Sequence, residues 1–224
     1  PPTVVEPYKR QLNLSHPTGW LATNDNLQTY TCTAGQVHFC RDGSTAFAVG
    51  VEGACVELLG SWADAMRRQN CRRTLLFPLA NWQVEPLRDE GFDLMQVGEE
   101  AEVYLPAYHL RGGRYANLRQ MLRRARRNQL MVSLDDRLPR DAKQLESVWL
   151  NGCTQKRRMR LLVGEQDACK DATFAVVRNA QSQPLAWVES RPGFTGRGYG
   201  IDSMIRHPSA PAGAVELAVH ALLS

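Results

Sequence analysis

The chain has 224 residues, 43% of them hydrophobic and 22% charged, with a net charge of only +4. That is the make-up of an ordinary globular protein, long enough for one large or two small domains; no apolar run approaches membrane-spanning length and no low-complexity tract is visible. The six cysteines (Cys32, Cys40, Cys55, Cys71, Cys153 and Cys169) include no CxxC pair and no Cys/His metal spacing, so reduced thiols in a cytoplasmic chain are expected, with neither a disulfide framework nor a metal.

The first hundred residues alternate strand-like and helix-like segments. Leu27 to Cys32 and Gln36 to Cys40 read as a strand pair around Ala34-Gly35, and Thr45 to Val51 as a third strand. Val56 to Arg68 carries Leu58, Leu59, Trp62, Ala65 and Met66 at helical spacing. Thr74 to Leu79 reads as a buried strand and Val84 to Glu90 as a short helix stopped by Gly91. Further strands are expected at Asp93 to Val97 and Glu102 to Leu105.

The most distinctive stretch follows. Seven arginines lie between Arg111 and Arg127, and no Asp or Glu occurs between Glu102 and Asp135. Without those seven the chain would carry −3. The segment reads as a helix opened by Gly112-Gly113. At about 100° per residue, Leu118, Met121, Leu122 and Ala125 share one arc, while Arg119, Arg123, Arg126 and Arg127 share the opposite one. Such a face suits a polyanion, either nucleic acid or anionic lipid headgroups; the plainer alternative is a solvated helix face.

Beyond it a linker is expected, then a helix over Asp141 to Trp149. A hairpin follows, Thr173 to Val177 with Leu185 to Ser190 across Asn179 to Gln183. Tyr199 to Ile205 reads as a strand and Pro211 to Leu223 as a closing helix. The fold class expected is mixed α/β, in two units: residues 1–109, and residues 110–224 beginning with the basic helix. The chain opens on Pro1, not Met, without a signal-peptide pattern, and is read as a fragment or trimmed protein.

Three ordered motifs carry a family resemblance. The first runs through Glu90-Gly91-Phe92, Val97-Gly98-Glu99-Glu100-Ala101, Leu110-Arg111-Gly112, Leu118-Arg119 and Arg123-Arg124. The second is Trp149-Leu150 with Lys156; the third is Ile201-Asp202-Ser203-Met204-Ile205-Arg206 continuing through Ala210-Pro211-Ala212-Gly213 to Glu216. Together they resemble the C-terminal catalytic domain of bacterial phosphatidylglycerol lysyltransferases and their soluble relatives. The resemblance implies two GNAT-type units around a basic helix, the second unit incomplete at its C-terminus. It also implies transfer of an aminoacyl group from aminoacyl-tRNA to a hydroxyl acceptor such as phosphatidylglycerol, at the inner face of the membrane, with no cofactor. One departure is visible: the family places an Arg three positions after its Asp, whereas here Arg206 lies four after Asp202.

Such chemistry starts from an activated ester, so positioning and charge stabilisation could supply most of the rate. Asp202 and Glu216 are candidates to meet a cationic amino group, Arg206 to stabilise an oxyanion or phosphate, and His207 to act as general base. Arg119, Arg123, Arg124, Arg126 and Arg127 are the candidate polyanion contacts. For each a structural role is the competing reading: Asp202 as partner of an arginine, Glu216 as an exposed helix residue, His207 as a solvated loop residue. The Gly-rich run Pro192 to Gly200 falls between predicted strands and reads as a turn; a CoA-dependent acyltransferase would need it before a helix. A non-catalytic anion-binding module remains the other alternative.

Overall fold

The computed structural model describes residues 27–53, 55–77, 81–96, 99, 101–152, 171–192 and 198–224. The chain divides into two compact units, one reaching from the N-terminus to Glu99, the other comprising Glu100–Pro192 and Tyr199–Ser224. The class is mixed α/β, with two four-stranded sheets and, among the described residues, five α-helices.

In the first unit, β1 (Gln28–Cys32), β2 (Gly35–Asp42) and β3 (Thr45–Gly53) form an antiparallel meander, and β4 (Arg73–Leu76) joins parallel to β3. A parallel neighbour needs a crossover, supplied by α1 (Cys55–Arg68). The i, i+3, i+4 apolar pattern buries Leu58, Leu59, Trp62 and Met66 of α1 on Val37, Phe39, Ala48 and Val51 of the sheet, with Phe39 and Trp62 edge to face at 5.8 Å. A second helix, α2 (Asn81–Asp89), follows, and Gly91 at φ 83° takes the left-handed conformation that ends it.

Two strands expected from the sequence do not form. Residues 93–96 and Glu102 to Tyr104 lie outside any sheet, and Leu105–Ala107 makes a 3-10 turn; position 97 is outside the described residues. Met95, Val103 and Tyr104 are well exposed. Strand propensity without a neighbouring strand or a face to cover does not make a ladder.

Further along the second unit a 3-10 turn at Gly113–Tyr115 leads into α3 (Ala116–Arg127), the basic helix. Then comes β5 (Met131–Asp135), a strand where a linker was expected. Met131 and Leu134, on opposite faces, are both about half exposed, so it lacks the apolar alternation that marks a strand; pairing with β6 (Thr173–Arg178) makes it one. Helix α4 (Arg140–Gly152) follows β5, and β6, β7 (Pro184–Pro192), β8 (Tyr199–Arg206) and α5 (Ala214–Leu223) complete the unit. All pairings in the order β5-β6-β7-β8 are antiparallel.

Both faces of this sheet are covered. Ala175, Val177, Ala186 and Val188 meet α5 through Ala214 and Ala218, and α3 through Ala125. Phe174, Val176, Trp187 and Ile205 point the other way, onto Ala142 and Leu145 of α4. Asp141 in the first turn of α4 is held by Arg178 of β6, which donates from Nη2 to Oδ1 at 3.0 Å; that hydrogen bond keeps the Asp141 carboxyl below its usual range.

Gly213 explains the close approach of α3 and α5. It sits at φ 100°, and a Cβ there would stand 2.3 Å from the Met121 carbonyl oxygen and 3.1 Å from the Ala125 nitrogen. Gly213→Ala is therefore expected to cost about 2–4 kcal/mol, from left-handed strain plus overpacking, read as a lower denaturation midpoint at unchanged slope.

Candidate functional site

Strand β7 reads LAWVESRP at its core, and its alternation puts Trp187, Glu189 and Arg191 on the α4 side of the sheet. Opposite Glu189 the ladder slips: Val188 pairs with Met204 and Ser190 with Ile201, so two residues of β8, Asp202 and Ser203, face one residue of β7. This is a β-bulge, and it turns both side chains inward. The burial pattern of β8 changes phase at this point, with Ile201 and Met204 exposed, Ser203 buried and Asp202 half-buried.

The result is a buried polar cluster. Arg191 donates from Nε to Glu189 Oε1 at 2.6 Å, and its Nη2 lies 3.8 Å from Asp202 Oδ2. Ser203 donates its hydroxyl to Asp202 Oδ2 at 3.1 Å. The side chains of Glu189, Arg191 and Asp202 are 0%, 2% and 7% exposed. Burial, and then repulsion from Glu189, push the Asp202 carboxyl up to about 7 against the attraction of Arg191. Burial likewise raises Glu189, with Arg191 opposing. A carboxyl poised near neutrality is the state general acid–base chemistry requires.

Of the residues singled out from sequence, only Asp202 belongs to this cluster. Arg206 stands opposite Ala186, exposed, on the α5 side of the sheet and roughly 10 Å along the strand from Asp202. The bulge absorbs one residue, so Arg206 occupies the place that a position three beyond Asp202 would take in an unbulged strand. His207 leaves the strand with its N–H on the Leu185 carbonyl at 2.8 Å; its Nδ1 accepts the Ser209 N–H at 3.2 Å and lies 2.7 Å from the Ser209 hydroxyl. That arrangement closes a turn. Glu216 is half-buried in the first turn of α5, where a carboxylate suits the helix N-terminus. Since α5 covers the face opposite the cluster, Glu216 and Asp202 are not brought together.

The arginines divide. Arg119 is half-buried and donates from Nη1 to the carbonyls of Leu110 and Gly112 at 2.6 and 2.8 Å, fastening the approach segment to the helix. Arg123, Arg124, Arg126 and Arg127 are exposed, and among the described residues no carboxylate pairs with them. Leu122 and Ala125 are buried and Leu118 and Met121 half-buried, as the helical arc requires. The segment at 193–197 and the stretch 153–170, with Lys156, lie outside the described residues.

Sequence reasoning missed Glu189, Arg191 and Ser203. A signal was present: opposite charges two apart inside an otherwise apolar strand must share one face, and a strand covered on both sides leaves them no water. Among the described residues no group of His, Cys, Asp and Glu could hold a metal ion, and no helix is long and apolar enough to cross a membrane.

Among solved structures, the chain is similar in fold to the C-terminal domain of a putative lysylphosphatidylglycerol synthetase from Agrobacterium fabrum, with TM-score 0.69 and 19% identity over 97% of this chain and 71% of that one. It is similar also to L-PGS from Bacillus licheniformis, with TM-score 0.67 and 17% identity over 100% and 71%. A conserved protein of unknown function from Bacteroides thetaiotaomicron gives TM-score 0.60 and 15% identity over 94% and 77%. No curated protein sequence matches the chain. The sequence model described as "Phosphatidylglycerol lysyltransferase, C-terminal" matches residues 10–224. Nearly the whole chain is thereby accounted for, and it belongs to the phosphatidylglycerol lysyltransferase C-terminal domain family.

Proposed function

We propose that this chain is an aminoacyltransferase that moves an aminoacyl group from aminoacyl-tRNA to a hydroxyl acceptor, such as the glycerol headgroup of phosphatidylglycerol. Family membership supports a transferase of this kind. The observation that carries the reading further is the Asp202 carboxyl, buried beside Glu189 and Arg191 and titrating near neutrality. In the reaction the acceptor oxygen attacks the ester carbonyl, the bond to the ribose oxygen of the tRNA breaks, and the acceptor's proton must end on that ribose oxygen. A carboxyl that gains and loses a proton near pH 7 can accept the one and deliver it to the other. Both units are read as GNAT-type; in the second, the antiparallel run β6-β7-β8 followed by α5 supports this.

The four exposed arginines of α3 support a polyanion contact, with tRNA phosphates or anionic headgroups as partners, and with it a location at the inner surface of the membrane. The test is to incubate the complete protein with charged tRNAs and phosphatidylglycerol vesicles and follow labelled amino acid into the lipid. Absence of transfer with every amino acid and acceptor tried rejects the reading.

A second reading, a non-catalytic anion-binding module, is favoured by the arginine face alone. The quadruple change of Arg123, Arg124, Arg126 and Arg127 to Gln bears on both. It is expected to lower the slope of log affinity against log salt by about 3–4, since each phosphate neutralised on a duplex releases about 0.9 counterion. If titrations of tRNA and of anionic vesicles keep their original slopes, α3 is not the binding surface.

A further inference from the structure

The buried cluster holds two carboxyls and one guanidinium. If both carboxyls were ionised, a full negative charge would remain in the sheet interior, which is costly where burial excludes water. Among the described residues, what else faces Asp202 does not supply the missing positive charge. From β6, Phe174 stands opposite Glu189. From α4 the facing side chains are Ala142 and Leu145, with Glu146 half-buried beside them and Asp141 committed to Arg178. On β7 and β8 the polar neighbours are Glu189, Arg191 and Ser203.

The hydrogen-bond inventory is one donor short. Arg191 Nε serves Glu189 Oε1 and the Ser203 hydroxyl serves Asp202 Oδ2. Glu189 Oε2 is buried, and among the described residues no N–H or O–H group reaches it. The bulge sets Asp202 opposite Glu189 across the β7–β8 gap, and the one guanidinium of Arg191 lies 2.6 Å from Glu189 Oε1 and 3.8 Å from Asp202 Oδ2. Two buried carboxyls that share one guanidinium shed the excess negative charge when one of them carries a proton.

We propose that Glu189 and Asp202 form a proton-sharing carboxyl pair, with Glu189 the positioning residue that keeps the proton on Asp202 and Arg191 neutralising the remaining charge. The proton comes from solvent and no other bond changes. Glu189 takes the guanidinium at short range, leaving Asp202, at 3.8 Å from Nη2, as the carboxyl that exchanges its proton. The β8 bulge is what makes this geometry possible, because it points Asp202 across the strand gap at Glu189. The use of that proton in catalysis rests on the aminoacyl-transfer reading; the pair itself does not.

The test therefore begins without substrate. Unfolding free energy is measured against pH for the wild-type chain, Glu189→Gln and Asp202→Asn. In the wild type the folded state should hold one proton more than the unfolded state between about pH 4.5 and pH 6.5, so stability falls as pH rises through that window. In Glu189→Gln the repulsion is gone and Arg191 is left to Asp202, so the window should move acidward by about one pH unit or more. In Asp202→Asn it should vanish. Each variant keeps one carboxylate for one guanidinium, so each is expected to fold. Independently of any variant, infrared spectra of the wild type at about pH 6 should show the carbonyl stretch of a protonated carboxylic acid, lost at about pH 9. Absence of that band, or a linkage window unmoved in Glu189→Gln, overturns the pair. Absence of transfer by the wild type, with its linkage window present, would instead indict the reaction assigned above.

Discussion

Asp202→Asn is expected to lower aminoacyl transfer by about 10²–10⁴-fold, the usual range for a positioned acid–base group. Binding of tRNA should be unchanged, because Asp202 lies on the α4 face of the second sheet, away from the α3 arginines. The fold should survive. Asn has the shape of the protonated acid; its amide can donate to Glu189 Oε2 and its carbonyl can accept from the Ser203 hydroxyl. The sign of the stability effect follows from the raised carboxyl. A group whose value rises from 3.8 to about 7 on folding contributes stability in full below the lower figure and loses it through the higher. The variant should thus match the wild type in acid and exceed it above neutrality, by no more than about 4 kcal/mol. Unaltered transfer rates in this variant would remove Asp202 from the chemistry. Urea unfolding at a series of pH values would check the stability part.

Arg191→Met should have the opposite thermodynamic character. It leaves two carboxyls buried without their counter-charge, and breaking a buried pair from one side costs about 3–5 kcal/mol. Both carboxyl values should rise further, so the defect should be largest in mild alkali and shrink in acid as both groups take up protons. The double change Glu189→Gln with Arg191→Met should recover part of the loss, because it removes one of the two orphaned carboxyls and leaves Asp202 free to stay protonated. Circular dichroism melts at two pH values distinguish the outcomes. A single variant as stable as the wild type at alkaline pH would mean that the cluster is not desolvated as described.

How far the residues alone reached depended on whether a signal is local. Helix α3 was legible because its two faces are written in one continuous stretch, apolar at Leu118, Met121, Leu122 and Ala125 and basic elsewhere. The β6–β7 hairpin was legible because its turn, Asn179 to Gln183, lies between two apolar runs. Strand β5 was not, since Met131 and Leu134 are half exposed and its identity comes from pairing with the distant β6, from Met131 with Arg178 to Asp135 with Phe174. The segments at Asp93 and Glu102 erred the other way: their apolar residues looked like strands, but among the described residues no neighbouring chain pairs with them.

The same division runs through the site. Asp202 was found by a motif, and the arginines of α3 by charge counting along a helix. Their partition was invisible, because Arg119 folds back on the Leu110 and Gly112 carbonyls while its neighbours stay in water. Nor could spacing reveal that Glu216 and Arg206 fall on the side of the sheet away from Asp202. Family, basic helix and one candidate catalytic carboxyl are thus inscribed in residue order, where short-range periodicity and motif identity suffice. The company Asp202 keeps, Glu189 and Arg191, depends on a ladder slip between two strands and on helices covering both faces. Cross-strand register and burial are properties of the assembled sheet, and they are what turn an ordinary aspartate into an acid near neutrality.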